Sequence, residues 1–66
     1  MREAKNITVL VVDDETSLRE AIMFDFKRKG YNVIGAENGL QAIEIIKNQK
    51  IDLVLTDVRM PKGDGV

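Results

Sequence analysis

The chain of 66 residues contains no cysteine and no histidine. Without cysteine no disulfide can form, and this absence fits a reducing compartment such as the cytoplasm. Without histidine the chain can form neither a phosphohistidine intermediate nor a Ser-His-Asp triad, and it cannot bind a metal through imidazole. Any group-transfer chemistry of this chain must therefore rest on other side chains.

Long apolar runs and a charge excess of one sign are also missing. The apolar runs are far shorter than the roughly 20 residues of a membrane span, and residues 1–7 lack the apolar core of a signal peptide. We expect a cytoplasmic chain with no membrane contact. The net charge is only -1, and the one basic cluster, at residues 27–29, falls where a helix should end and its dipole favours cations. Nucleic-acid binding by this segment is not expected.

What remains is the composition of a small globular unit. With 44% hydrophobic and 32% charged residues, the chain is typical of a soluble domain and too short for two. A domain of this size buries only about 60% of its unfolded surface, so its stability is marginal without further support.

Three short apolar runs predict β-strands, at residues 7–12, 31–36 and 51–56. The first run is apolar apart from Thr8, as in a strand buried on both faces at the centre of a parallel sheet. The segments between the runs, 16–29 and 39–48, have helical spacing of apolar residues.

Local signals predict where these helices begin and end. Ser17 with Glu20 suggests a capping box for the first helix, and Gly30 supplies its C-terminal stop. Asn38 followed by glycine could mark a hairpin, but the helical pattern after it and the position of Gln41 favour a helix cap.

The alternation of strands and helices predicts an α/β fold of βαβαβ order, with a parallel sheet and right-handed crossovers. Placing the most apolar strand in the middle gives the order 2-1-3 and one helix on each face. The reversal of direction between the crossovers creates a switch point, where ligands bind at the carboxyl ends of the strands.

Three aspartates follow the strands that meet at this switch point. Asp13 and Asp14 come directly after the first run, and Asp57 comes after the third. Aspartates at strand ends are also common turn residues and helix caps, so the pair alone has little specificity. Three ionised carboxylates in one crevice, however, repel one another, so keeping all three ionised costs free energy unless a cation is bound. Mg²⁺ suits such an all-oxygen site.

Four motifs follow one another along the chain: Val11-Val12-Asp13-Asp14-Glu15, Glu37-Asn38-Gly39, Leu55-Thr56-Asp57-Val58-Arg59-Met60-Pro61 and Gly63-Asp64-Gly65. In order and spacing they closely resemble the receiver domain of bacterial two-component response regulators, over essentially the whole chain. Receivers run to nearly twice this length, so the resemblance implies that residues 1–66 are a partial receiver domain with a truncated flavodoxin-like fold.

The resemblance also implies roles for individual residues. Asp57 matches the phosphoacceptor, which a sensor histidine kinase phosphorylates, so the chain is not expected to be an enzyme itself. Asp14 matches the direct Mg²⁺ ligand, Asp13 its partner through a bound water, and Arg59 the donor of a backbone carbonyl. The family's phosphoryl-binding Ser or Thr after strand four and Lys after strand five do not occur within these residues, so we expect an impaired acceptor.

Two alternatives belong to other classes. A magnesium phosphatase of the haloacid dehalogenase type also uses an aspartate nucleophile after a parallel strand, but it needs Asp-x-Asp, and Arg59 stands where the second acid should be. A non-catalytic folding or assembly fragment is the other alternative. An apolar edge along strand three, with Val54 at its middle, further predicts self-association as a homodimer or larger assembly.

Overall fold

The computed structural model of the chain describes residues 4–56. After a 3₁₀ turn at Ala4–Asn6, the elements are β1 (Thr8–Val12), α1 (Thr16–Arg28), β2 (Asn32–Ala36), α2 (Gly39–Asn48) and β3 (Leu53–Thr56). The predicted βαβαβ order is confirmed. Neither described helix is long and apolar enough to cross a membrane.

The three strands form one parallel sheet in the order β2-β1-β3, as predicted. The central strand carries the core, because Val9, Leu10 and Val11 are fully buried. Val12 lies opposite Ala36 on one side and Thr56 on the other. The three strands therefore end in register, and the residues that follow them leave the sheet at the same edge.

The two helices cover opposite faces of the sheet, which confirms the predicted layering. Leu10 and Ala36 form a buried cluster with Ala42 of α2. Gly35, whose neighbours in the strand point to the α2 face, points the other way. A Cβ atom at Gly35 would lie 2.7 Å from the sulfur of Met23 on α1, so α1 approaches β2 closely at this point.

The helix α1 begins at Thr16, as predicted, but its N-terminal cap differs from the prediction. Its N-cap is Glu15, which has an extended backbone and makes no side-chain cap bond, and the helix begins at Thr16. Ser17 lies inside the first turn, already in helical conformation, so the predicted capping box of Ser17 and Glu20 is wrong. A cap side chain must precede the helix to reach its free N–H groups.

The end of α1 follows the prediction. Gly30 has a φ of 99°, which suits glycine. Its N–H donates to the carbonyl of Lys27 over 3.0 Å, and the N–H of Tyr31 donates to that of Phe26 over 3.2 Å. This is a Schellman motif, and the rings of Phe26 and Tyr31, 5.5 Å apart, supply its hydrophobic contact.

The cap of α2 is confirmed over the hairpin alternative. Asn38 Oδ1 accepts the N–H of Gln41 over 2.9 Å, and Gln41 Oε1 accepts the N–H of Glu37 over 2.8 Å. The arrangement is a capping box in which the returning bond reaches one residue further back than usual.

Candidate functional site

The candidate site lies at the carboxyl edge of the sheet, immediately after the level strand ends. Asp13 and Asp14 leave the end of β1, and Glu37 leaves the end of β2. The third strand ends at Thr56, opposite Val12. The described residues end there too, and the predicted phosphoacceptor Asp57 and the predicted carbonyl donor Arg59 lie outside them.

Asp13 is held in place by bonds from three directions. Its N–H donates to the carbonyl of Ala36 over 3.1 Å, which continues the sheet by one residue. Its Oδ1 accepts the N–H of Glu15 over 2.8 Å, and its carbonyl accepts from Nη1 of Arg19 over 2.7 Å. The residue is only 5% exposed, and the hydrogen bond from Glu15 satisfies its buried side-chain oxygen.

Asp14 differs from its neighbour in being exposed. The predicted roles of the two carboxylates also differ: Asp14 is predicted to bind the ion directly, and Asp13 is predicted to act through a water molecule. A Mg²⁺ ion keeps several of its waters and is usually bound through only one or two carboxylates, so the exposed Asp14 with Asp13 next to it fits part of such a coordination shell.

A groove lies beside Asp13, between α1 and β3. It has a volume of about 160 Å³ and is bounded on the apolar side by Val11, Leu18, Ile22 and Leu55. This volume is below the roughly 300–1,000 Å³ of typical small-molecule sites.

The structure describes two of the four predicted site residues, Asp13 and Asp14, which are already neighbours in the sequence. Among residues 4–56 no three acidic side chains gather in one place that could hold a metal ion. The third carboxylate of the predicted cluster is that of Asp57. Because Asp57 lies outside the described part of the chain, the structure does not describe the complete cluster.

One residue at this edge, Arg19, was missed by the sequence analysis. The signal that could have revealed it is a cation in the first turns of a helix, where the dipole favours anions. The first turn of α1 contains no acidic residue.

The chain matches known proteins along nearly its whole length. A family model described as "Response regulator receiver domain" matches residues 9–66. The chain is 41% identical to the "Alkaline phosphatase synthesis transcriptional regulatory protein PhoP" of Bacillus subtilis, over 92% of this chain and 25% of that protein. It is 39% identical to "Sporulation initiation phosphotransferase F" of the same organism, over 92% of this chain and 49% of that protein.

A third relative is the "Transcriptional regulatory protein ZraR" of Escherichia coli, 46% identical over 92% of this chain and 14% of that protein. The chain thus spans at most about half the length of these relatives. No solved structure matches it significantly. The strand order 2-1-3 is that of the first three strands of a flavodoxin-like sheet. On this fold and on the match over residues 9–66, the chain belongs to the family of response regulator receiver domains.

Proposed function

We propose that the chain acts as the phosphoacceptor part of a receiver domain, with Asp57 as the residue that a sensor histidine kinase phosphorylates. One observation carries the proposal. Val12 and Thr56 lie opposite each other at the ends of β1 and β3. Asp13 and Asp57 are the next residues along the chain after these two strand ends, so we expect both carboxylates at the same edge of the sheet.

The chemistry asked of Asp57 is simple. A carboxylate oxygen forms a bond to phosphorus while the P–N bond of a phosphohistidine donor breaks, and the electron pair of that bond stays on the imidazole. The carboxylate needs no general base because it is already ionised near neutral pH. The chain has no histidine, so a phosphohistidine donor must lie outside these 66 residues. The chain is then a substrate of its kinase.

The residues at the edge fit a hard cation, because the donors are carboxylate and carbonyl oxygens without any thiolate or imidazole. Asp14 and Asp57 would bind Mg²⁺ directly, Asp13 would bind it through water, and the backbone carbonyl of Arg59 would complete the protein ligands. When bound, Mg²⁺ offsets the negative charge of the phosphoryl oxygens. Of these proposed ligands, the structure describes Asp13, which is buried and held by hydrogen bonds, and Asp14, which is exposed.

Labelling with acetyl phosphate and Mg²⁺, followed by intact-mass measurement, tests the proposal. We expect slow and partial addition of one phosphoryl group, because the family's phosphoryl-binding Ser or Thr after strand four and Lys after strand five do not occur within residues 1–66. The addition should vanish in Asp57→Asn and persist in Asp25→Asn, which alters an acid of α1 paired with Arg28 and Lys29. Labelling that survives in Asp57→Asn contradicts the proposal, and a complete lack of labelling supports the assembly-fragment alternative.

We also propose that a second copy of the chain pairs with the free side of β3. Within residues 4–56 the strand pairs with β1 alone, and Leu53 and Val54 are 44% and 43% exposed. An apolar strand at the edge of a sheet is a template for pairing with another strand.

A further inference from the structure

We propose that Arg19 is a positioning residue for the cation site, which it serves by holding the peptide group between Asp13 and Asp14. The inference rests on the proposed function, since it concerns the same Mg²⁺ site. Arg19 would not bind the ion. Its effect would pass through the backbone that carries the two carboxylates.

The contact that carries this proposal is the hydrogen bond from Nη1 of Arg19 to the carbonyl oxygen of Asp13, at 2.7 Å. A charged donor makes a short and strong bond of this kind. The same peptide group continues into the N–H of Asp14, so fixing the carbonyl fixes the direction in which the chain enters Asp14. The exposed carboxylate is thereby attached to a backbone that cannot turn freely.

The side chain of Arg19 reaches this carbonyl along a defined path. A Cβ atom at Gly35 would lie 3.4 Å from Cδ of Arg19, so the aliphatic stem runs over the bare backbone of β2. The residue is half-buried. A stem packed in this way leaves the guanidinium few alternative positions.

The position of Arg19 also argues for a specific role. It lies near the amino end of α1, where the helix dipole disfavours a cation. A hydrogen bond to the carbonyl of Asp13 offsets this disadvantage. Residues that break a local rule are expected where function requires them.

Electrostatics and positioning make opposite predictions for the loss of Arg19. Removing a positive charge near a cation site should tighten Mg²⁺ binding if charge alone matters. Removing the hydrogen bond of Arg19 to the Asp13 carbonyl should weaken Mg²⁺ binding, because substitution of the residues that support metal ligands typically lowers metal affinity by about tenfold or more. The direction of the change therefore separates the two effects.

The experiment is a Mg²⁺ titration of the whole chain, followed by NMR through the amide signals of Asp14 and Glu15. Arg19→Met keeps an unbranched aliphatic stem but removes the guanidinium group, with its hydrogen-bond donors and its charge. We expect about tenfold weaker Mg²⁺ binding in this variant. Arg19→Lys keeps the charge and one donor group, so it should recover part of the affinity. Arg28→Met is the matched control, because it removes the same charge at the other end of α1, and it should leave Mg²⁺ binding unchanged.

A second measurement, hydrogen exchange of the Glu15 amide, reports on the loop without Mg²⁺. That amide donates to Asp13 Oδ1, so its exchange should be faster in Arg19→Met than in Arg28→Met. Equal or tighter Mg²⁺ binding in Arg19→Met, with the unsubstituted chain responding normally, overturns the role of Arg19 alone. If the unsubstituted chain shows no response to Mg²⁺, the proposed cation site is overturned and this inference with it.

Discussion

Thr8 and Asp52 bond to each other reciprocally across the starts of β1 and β3. The N–H of Thr8 donates to Oδ2 of Asp52 over 2.8 Å, and the N–H of Asp52 donates to the carbonyl of Thr8 over 2.9 Å. The side chain of Asp52 thus replaces a backbone acceptor at the point where the parallel ladder begins. This pair fixes the register that places Thr56 opposite Val12 at the other end of the sheet.

We expect Asp52→Ala to lower the free energy of unfolding by about 1 kcal/mol, because it leaves the partly buried N–H of Thr8 without this acceptor. Asp52→Asn keeps an acceptor oxygen and should cost less than half as much. Asp25→Ala removes a half-buried acid with ion pairs at 3.4 and 3.6 Å to exposed cations, and it should change stability by less than about 0.5 kcal/mol. Urea unfolding measures all three, and equal effects of Asp52→Ala and Asp25→Ala would contradict the role of the pair.

The two helix starts should respond differently to the loss of their polar residues. Asn38→Ala removes the bond to the N–H of Gln41 and should cost about 1 kcal/mol. Asn38→Asp keeps an acceptor at the cap and should be nearly neutral. Ser17→Ala places a better helix former inside the first turn of α1, so it should be neutral or slightly stabilising. A loss in Ser17→Ala as large as that in Asn38→Ala would restore the predicted capping box.

Gly35 and Gly39 should differ in their tolerance of a side chain. At Gly35 a Cβ atom meets the sulfur of Met23 at 2.7 Å, whereas at Gly39 it meets nothing within 4 Å. Gly35→Val should therefore destabilise the chain by about 1–3 kcal/mol, and Gly39→Ala should stabilise it by up to about 1 kcal/mol. Combining Gly35→Val with Met23→Ala should recover part of the loss. A double-mutant cycle with no coupling between the two positions would show that Met23 is not the obstacle.

The parts of the fold that local patterns encode could be predicted from the sequence. The apolar run around Leu10 identified the central strand, because burial on both faces leaves no polar alternation. Gly30 and Asn38 identified helix ends, since a left-handed residue and a side-chain cap act within a few residues of themselves. The order 2-1-3 and the opposite placement of the helices followed from topology rules.

Features that depend on distant residues could not be predicted in this way. The bond between Thr8 and Asp52 joins residues 44 positions apart, and no local pattern marks it. The start of α1 at Thr16 was predicted correctly, but its cap was not, because Asp13, whose N–H donates to β2, accepts the N–H of Glu15 and places the cap there. For the site itself, Asp13 and Asp14 are adjacent in the sequence and need no fold to come together. The convergence of Asp57 and Arg59 on them remains a prediction.

The proposed pairing of β3 with a second copy makes a prediction about association. A two-fold axis through an antiparallel pair of β3 strands would place the middle of each strand next to its own counterpart. Val54 lies near that middle, so Val54→Lys would bring two positive charges together at the centre of the contact. We expect the unsubstituted chain to form a homodimer or larger assembly at micromolar concentration and Val54→Lys to be a monomer by light scattering.

Leu40→Lys is the matched control for this test. Leu40 is 78% exposed on α2, away from the strand edge, so the same added charge there should leave the assembly intact. If the dimer supports a marginal fold, the unfolding midpoint of the unsubstituted chain should rise with protein concentration, and that of Val54→Lys should not. A scattering mass of one well-folded chain, with cooperative unfolding that does not depend on concentration, would show that β3 needs no second copy.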